Sequence, residues 1–207
     1  MPAPRPASTV ILLRPTATRF QVFLVRRHRE IAFMGGAHVF PGGRVDDADE
    51  GVDLATRHRA AAARELREEA GVVVAADALV PFAHWVTPEL EVKRFDTWFF
   101  VAVLPAGQEA VHDGAENTDS LWIDPAAAIA LAASGTITLP PPTWLSLETL
   151  ARFDDIGAVL DWARSTPITR IEPEAEERDG IKTLTMPGAR FMFDKGRWRP
   201  YRDTPRH

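Results

Sequence analysis

The chain has 207 residues, 45% of them hydrophobic, with 29 acidic against 24 basic side chains, a formal net charge of −5 and no cysteine. That length can bury one sizeable core, while the absence of thiols excludes disulfides, thiol catalysis and any cysteine-based zinc site, so a metal would be held by oxygen or histidine. No basic cluster is dense enough for a duplex-binding face, which excludes long nucleic acid as a partner, and no apolar run approaches the ~18 residues of a membrane helix.

The N-terminal Pro2, Pro4, Arg5 and Pro6 precede an ordinary strand without the apolar core of a signal peptide, so the expected location is cytoplasmic. Thr9 to Leu13 and Gln21 to Val25 cluster apolar residues as paired strands do, with Pro15 to Arg19 as the turn. The run Ala37 to Phe40 predicts a strand ending in the turn Pro41-Gly42-Gly43, where backbone can approach a ligand closely. Arg44 to Asp53 is an acidic loop, and Leu54 to Ala70, rich in alanine and leucine, predicts a helix. Gly71 sits where a C-terminal cap belongs, and Val72 to Val74 predicts a buried strand.

Leu79 to Val86, Arg94 to Leu104 and Leu121 to Ile123 predict further strands. Asp124-Pro125 opens a helix from about Ala126 to Ala133 by an N-cap and proline-first signature. Strands mixed with two or three helices predict an α/β sandwich whose core spans about 8–138, within a single domain over 1–207. After Gly135, Pro140 to Pro142 mark a rigid joint, and helices are expected at Thr143 to Arg152 and Ile156 to Arg164. Glu172 to Gly180 reads as an exposed loop before a hairpin from Ile181 to Trp198. This extension, about 139–207, is expected to pack on the core and to shape a substrate pocket or make a dimer contact.

The chemistry concentrates in Arg64-Glu65-Leu66-Arg67-Glu68-Glu69-Ala70-Gly71-Val72. At ~100° per residue, Glu68 lies ~60° to one side of Glu65 and Glu69 ~40° to the other, so the three carboxylates converge on one helix face. Each like-charge pair costs roughly 0.2–0.5 kcal/mol, a repulsion that a hard cation such as Mg²⁺ or Mn²⁺ removes. A solvated helix face compensated by Arg59, Arg64 and Arg67 is the competing reading. The order strand, glycine turn, acidic helix, glycine, strand favours the metal.

That unit resembles the Nudix box: a glycine, five residues, a glutamate, seven residues, then R-E-U-x-E-E-x-G-U with U aliphatic. Arg64, Glu65, Leu66, Glu68, Glu69, Gly71 and Val72 match its second half at every specified position. The first half departs from it. Thr56 stands where the pattern has its first glutamate, and the loop from Gly43 is longer than the pattern. Within the insertion, Asp46, Asp47, Asp49, Glu50 and Asp53 either replace the missing carboxylate or merely solvate a loop, the latter reading being favoured.

The run from Phe33 to Gly43, the acidic insertion, Arg94 to Ala102 and Leu139 to Trp144 are similar to the organelle-type coenzyme A diphosphatases, although the chain ends Thr204-Pro205-Arg206-His207 without a peroxisomal tail. The resemblance implies a Nudix-type α/β/α sandwich with a mixed sheet and a helical C-terminal extension. It also implies metal-dependent hydrolysis, by water attack at phosphorus, of a diphosphate linkage in a small nucleoside diphosphate derivative, foremost coenzyme A or acyl-coenzyme A. ADP-ribose, NADH and dinucleoside polyphosphates suit the same box. A non-catalytic Nudix-fold ligand sensor is the rival class, disfavoured because all three helix glutamates are present. Since Nudix folds are often dimers, a homodimer stays open.

On this resemblance Glu65, Glu68 and Glu69 hold Mg²⁺ or Mn²⁺, with the Gly42 carbonyl as a further ligand and Arg64 orienting Glu68. Glu116, in the polar loop His112 to Ser120, is the candidate catalytic or metal-binding glutamate, with Glu89 and Glu91 behind it. Arg27, Arg44 and Arg94, with Arg26 and Arg29, offer the planar fork that suits phosphate, and His38 could reach a phosphate from the strand end. Trp98 and Trp122 are expected in the core, and Trp85 and Trp144 are candidates to line a pocket.

Overall fold

The structure is a computed structural model that describes residues 3–30 and 34–201. Phe33 and the chain end from Thr204 to His207, both used above, lie outside the described residues. β1 (Arg5–Pro15) and β2 (Phe20–Arg27) form the expected antiparallel pair, with Leu13 opposite Val22. β3 (His38–Val39) joins β2. Gly42 and Gly43, expected in a turn, and Arg44, expected to open the acidic loop, instead form a strand, β4 (Gly42–Arg44), antiparallel to β1.

α1 spans Leu54–Ala70 as predicted. Asp53 starts it by accepting from the Thr56 N–H, and Gly71 stops it at φ 68°. Val72 to Val74, expected as a strand, is irregular. The Gln108 side-chain amide bonds both the N–H and the carbonyl of Val73, standing in for the neighbouring strand this segment lacks. β5 (Val80–Val86), β6 (Phe95–Val103) and β7 (Asn117–Ile123) follow, then α2 (Pro125–Ser134), α3 (Pro141–Leu150) and α4 (Ile156–Ser165). With β8 (Arg170–Ile171) they complete a mixed sheet ordered β3-β2-β1-β6-β5-β8, in which β4 joins β1 and β7 joins β2. β1 runs parallel to β6 at the centre.

Both faces of that sheet are covered, which is why β1 reads as an unbroken apolar run rather than an alternating one. Val10 and Leu12 pack in one cluster with Ala62, Leu66 and Ala70 of α1. Ile11 and Leu13 pack in the other with Ala128 of α2, Leu147 of α3 and Val159 of α4. The result is the expected α/β/α sandwich.

The extension begins with the two expected helices and continues as a four-stranded antiparallel sheet, β9 (Glu174–Arg178), β10 (Ile181–Met186), β11 (Ala189–Asp194) and β12 (Arg197–Pro200). The segment expected as an exposed loop is therefore largely the edge strand β9, whose outward glutamates hide its pairing with β10. Leu184, Met186 and Phe191 of the extension bury in the same cluster as Ile11, Leu13 and Phe99 of the large sheet. Among the described residues, no helix is long and apolar enough to cross a membrane.

Candidate active site

β4 meets α1 through backbone, and the register explains how. Val10 N–H donates to the Pro41 carbonyl and Val45 N–H to the Pro6 carbonyl, so Thr9 and Gly42 face each other as a non-hydrogen-bonded pair. Both polar backbone groups of Gly42 therefore turn away from β1. Its N–H donates to Glu69 Oε2 at 2.9 Å, and its carbonyl lies along the same edge. Neither Gly42 nor Gly43 has a positive φ. They are glycines for space: a Cβ on Gly43 would overlap the Glu65 carboxylate, and one on Gly42 would strike the Ser8 carbonyl and the Thr9 hydroxyl. Gly43→Ala therefore displaces Glu65 and lowers turnover by about 10²-fold with the fold retained, measured as initial rates beside a melting curve. Unchanged rates would show that Glu65 need not sit against β4.

The carboxylates on this edge carry more negative charge than their donors neutralise. Burial pushes the Glu69 carboxyl up to about 7, and the Glu65 charge adds to that, against the pull of the Gly42 N–H and Arg27. Buried Asn117 leans toward Glu69 and lowers its carboxyl slightly, yet neither amide atom completes a well-formed hydrogen bond. Burial also raises the Glu65 carboxyl; Arg64 opposes this, and Glu68 and Glu116 reinforce it. Glu68 is half-exposed and accepts from Arg64 Nη1 at 3.0 Å. The same Nη1 donates to Glu65 Oε1 at 2.8 Å. Arg64 thus stands between two of the helix glutamates, and among the described residues no three acidic or histidine side chains are gathered as a coordination set.

The acidic insertion contains one residue unlike the rest. Asp49 is 5% exposed and takes Arg64 Nε at 2.9 Å and Nη2 at 3.0 Å on its two oxygens. Burial alone would raise its carboxyl, but hydrogen bonds from Arg64 and from the Asp46 N–H outweigh that and hold it below the usual range. Hydrogen bonding to Asp49 is the main reason the Arg64 guanidinium is held more firmly protonated than usual. Asp49 therefore does more than solvate a loop, whereas Asp53 caps α1 and Asp47 and Glu50 remain exposed. Nothing local in the sequence separates Asp49 from its acidic neighbours.

Glu65 and Glu116 line a cavity of about 630 Å³ together with Gly42, Gly43, Arg27 and Arg44. Glu116 is exposed, and its backbone is fixed by Asp113 Oδ2 and by the His28 N–H. Glu91 lines the same cavity but is paired with Lys182, and Glu89 is exposed. Trp85 lines the cavity as expected, whereas Trp144 is packed in the core against Phe191. Trp98 and Trp122, expected in the core, are only partly buried, with Trp98 stacked on His84 and Trp122 under the Arg14 guanidinium.

Two candidate phosphate contacts are displaced. Arg94 is 8% exposed, donates to the Thr87 carbonyl and pairs with Glu172, so it ties the extension to the β5–β6 turn rather than facing the cavity. His38 is buried and off the cavity wall, with its backbone N–H donating to the Thr138 carbonyl and, among the described residues, no hydrogen-bond partner for Nδ1.

Burial first, then the Arg26 charge, lowers the His38 imidazole to about 4, against a small opposing pull from Asp119. The unfolded chain thus takes up a proton that the folded one refuses, so this contribution to stability is complete above about 6.5 and is lost as pH falls towards 4. Between pH 7 and 4.5 the loss is about 2 kcal/mol, and His38→Gln removes it. Urea midpoints of both proteins at the two pH values check this; parallel acid sensitivities would refute it.

The sequence matches the family model described as the NUDIX domain over residues 3–141, more than half of the chain. Nudix hydrolase 7 of Caenorhabditis elegans is 27% identical over 186 residues, 73% of this chain and 62% of that protein. Acyl-coenzyme A diphosphatase NUDT19 of Xenopus laevis is 34% identical over 84 residues, 39% of this chain and 22% of that protein. The chain thus spans less than two thirds of either relative. The crystal structure of a NUDIX hydrolase from Alicyclobacillus acidocaldarius matches with a TM-score of 0.72 over 81% of this chain and 100% of its own, at 23% identity, a likeness of fold. With the family model covering most of the sandwich and the site on it, the chain belongs to the Nudix family.

Proposed function

We propose that this protein hydrolyses the diphosphate linkage of a nucleoside diphosphate derivative, foremost coenzyme A or acyl-coenzyme A. The observation that carries the reading is the meeting of Glu65 and Glu69 with the Gly42-Gly43 backbone, where Glu65, Gly42 and Gly43 line a cavity of about 630 Å³, a size that suits a small-molecule ligand. The coenzyme A choice is supported by the partial likeness to an acyl-coenzyme A diphosphatase.

A divalent cation fits this edge. Carboxyls raised by burial and by one another, an outward carbonyl and an unsatisfied buried amide form an oxygen-rich, undercompensated donor set. Glu65, Glu68, Glu69 and the Gly42 carbonyl would hold Mg²⁺ or Mn²⁺. When bound, the metal supplies charge neutralisation on phosphoryl oxygens and a more acidic water.

The chain's own residues do the rest. Arg27 and Arg44 donate to the diphosphate oxygens and orient the P–O–P bond in the cavity. Glu116 takes the proton of the attacking water as its oxygen bonds to phosphorus, and the P–O bond to the other phosphate breaks to give two monophosphates. Arg64, braced by Asp49, positions Glu68 and Glu65.

Mass-spectrometric product analysis tests this with coenzyme A, acyl-coenzyme A, ADP-ribose, NADH and diadenosine polyphosphates, each with Mg²⁺ or Mn²⁺, for the protein and its Glu116→Gln variant. Adenosine 3′,5′-bisphosphate and a phosphopantetheine product, formed about 10²-fold more slowly by the variant, are expected. Preference for another member would overturn the substrate, an unimpaired variant would remove Glu116 as the base, and tight binding without turnover would make the protein a sensor.

A further inference from the structure

The carboxylates are only part of the cavity's lining, and the aromatic part has a different chemistry. Trp85 and Phe99 of the core line it together with Leu184 on β10, Phe193 on β11 and Trp198 on β12. The C-terminal sheet thus contributes apolar side chains to the cavity that Glu65 and Glu116 also line. Phe193 and Trp198 lie with ring centroids 5.1 Å apart, and Phe193 remains 39% exposed although it faces a cavity, an apolar surface left to be covered. The charges here cancel, since Lys182 Nζ lies 2.6 Å from Glu91 Oε1 and both residues line the cavity.

Such a wall rewards an uncharged apolar group over a further phosphate, because the Lys182 cation beside it is already paired and brings a carboxylate with it. Of the two arms of an acylated coenzyme, the nucleotide arm carries an additional phosphate and the pantetheine arm carries the acyl chain. We infer that the C-terminal sheet builds an apolar subsite for the acyl chain, so that chain length governs specificity. This rests on the coenzyme A reading above and adds to it the side of the substrate that the extension recognises. The acyl chain is not itself altered: the bond broken remains P–O, and the thioester leaves intact on the phosphopantetheine product.

The test is a steady-state series with free coenzyme A and its acetyl, butyryl and octanoyl thioesters, using the whole chain and saturating Mg²⁺ or Mn²⁺. Burying one methylene is worth up to about fourfold in affinity, so KM should fall about two- to fourfold per added methylene from butyryl to octanoyl, with kcat changing less. Phe193→Glu, which places a charge in the subsite, should cut the octanoyl-to-acetyl ratio of kcat/KM by about tenfold or more. Phe193→Ala should cut it several-fold and serves if the glutamate variant does not fold, while Phe193→Leu should restore most of it.

Cleavage of coenzyme A and all its thioesters with no dependence on chain length would overturn the subsite and leave the proposed reaction standing. An undiminished ratio in a folded Phe193→Glu protein would also overturn it. If no coenzyme A compound is cleaved while another diphosphate is, the substrate reading fails and takes the subsite with it.

Discussion

Replacing Glu68 with glutamine lowers metal-dependent turnover by about 10³-fold and leaves the fold intact, since losing part of a metal's stabilisation of phosphoryl charge costs several kcal/mol of barrier. Of Glu65, Glu68 and Glu69, Glu68 is the one most open to water, with 51% of its side chain exposed and, among the described residues, Arg64 as its ion-pair partner. Its removal costs little packing and relieves like-charge repulsion with Glu65. Initial rates at saturating substrate over a metal series, beside thermal melts, check both halves of the expectation. Activity within tenfold of the parent would exclude Glu68 from the reacting centre.

Asp49→Asn is expected to be the most damaging change outside the helix. Its side chain is 4% exposed and holds Arg64, itself 23% exposed, through two hydrogen bonds near 3 Å, so the variant leaves a largely desolvated guanidinium short of charge. Breaking such a pair costs about 3 kcal/mol. Turnover should fall as well, because Arg64 also donates to Glu65, Glu68 and the Arg44 carbonyl and would re-aim all three. Urea unfolding gives the stability loss, and a double-mutant cycle with Arg64→Gln should show the two losses far from additive. Additive losses would mean that Asp49 acts elsewhere.

Features fixed by neighbouring residues were legible in the sequence. The bounds of α1, its Asp53 start and its Gly71 stop follow from propensity and capping within the segment, and the spacing of Glu65, Glu68 and Glu69 follows from helix geometry. Features fixed by distant partners were not. Gly42-Gly43 looks like a turn because glycine punctuates chains; with Arg44 it becomes a strand by pairing with β1. Val72 to Val74 looks like a strand but meets a glutamine side chain instead of a neighbour. β9 is hidden by its charges until β10 lies beside it.

The site divides in the same way. Arg94 and His38 have the right chemistry for phosphate but are buried in other contacts, a tertiary fact without a local sign. Asp49 is buried among acidic residues that read alike. Phe193 and Trp198 reach the cavity only because the extension folds back over the core.

The most direct measurement is calorimetric titration of Mn²⁺, and separately Mg²⁺, into the substrate-free protein and into the combined Glu65→Gln, Glu68→Gln, Glu69→Gln variant. If these carboxylates and the Gly42 edge form the metal centre of a diphosphate hydrolase, the parent binds one to three ions with a saturable signal and the folded variant binds none. Equal binding by both, or no specific binding by the parent, would contradict the account.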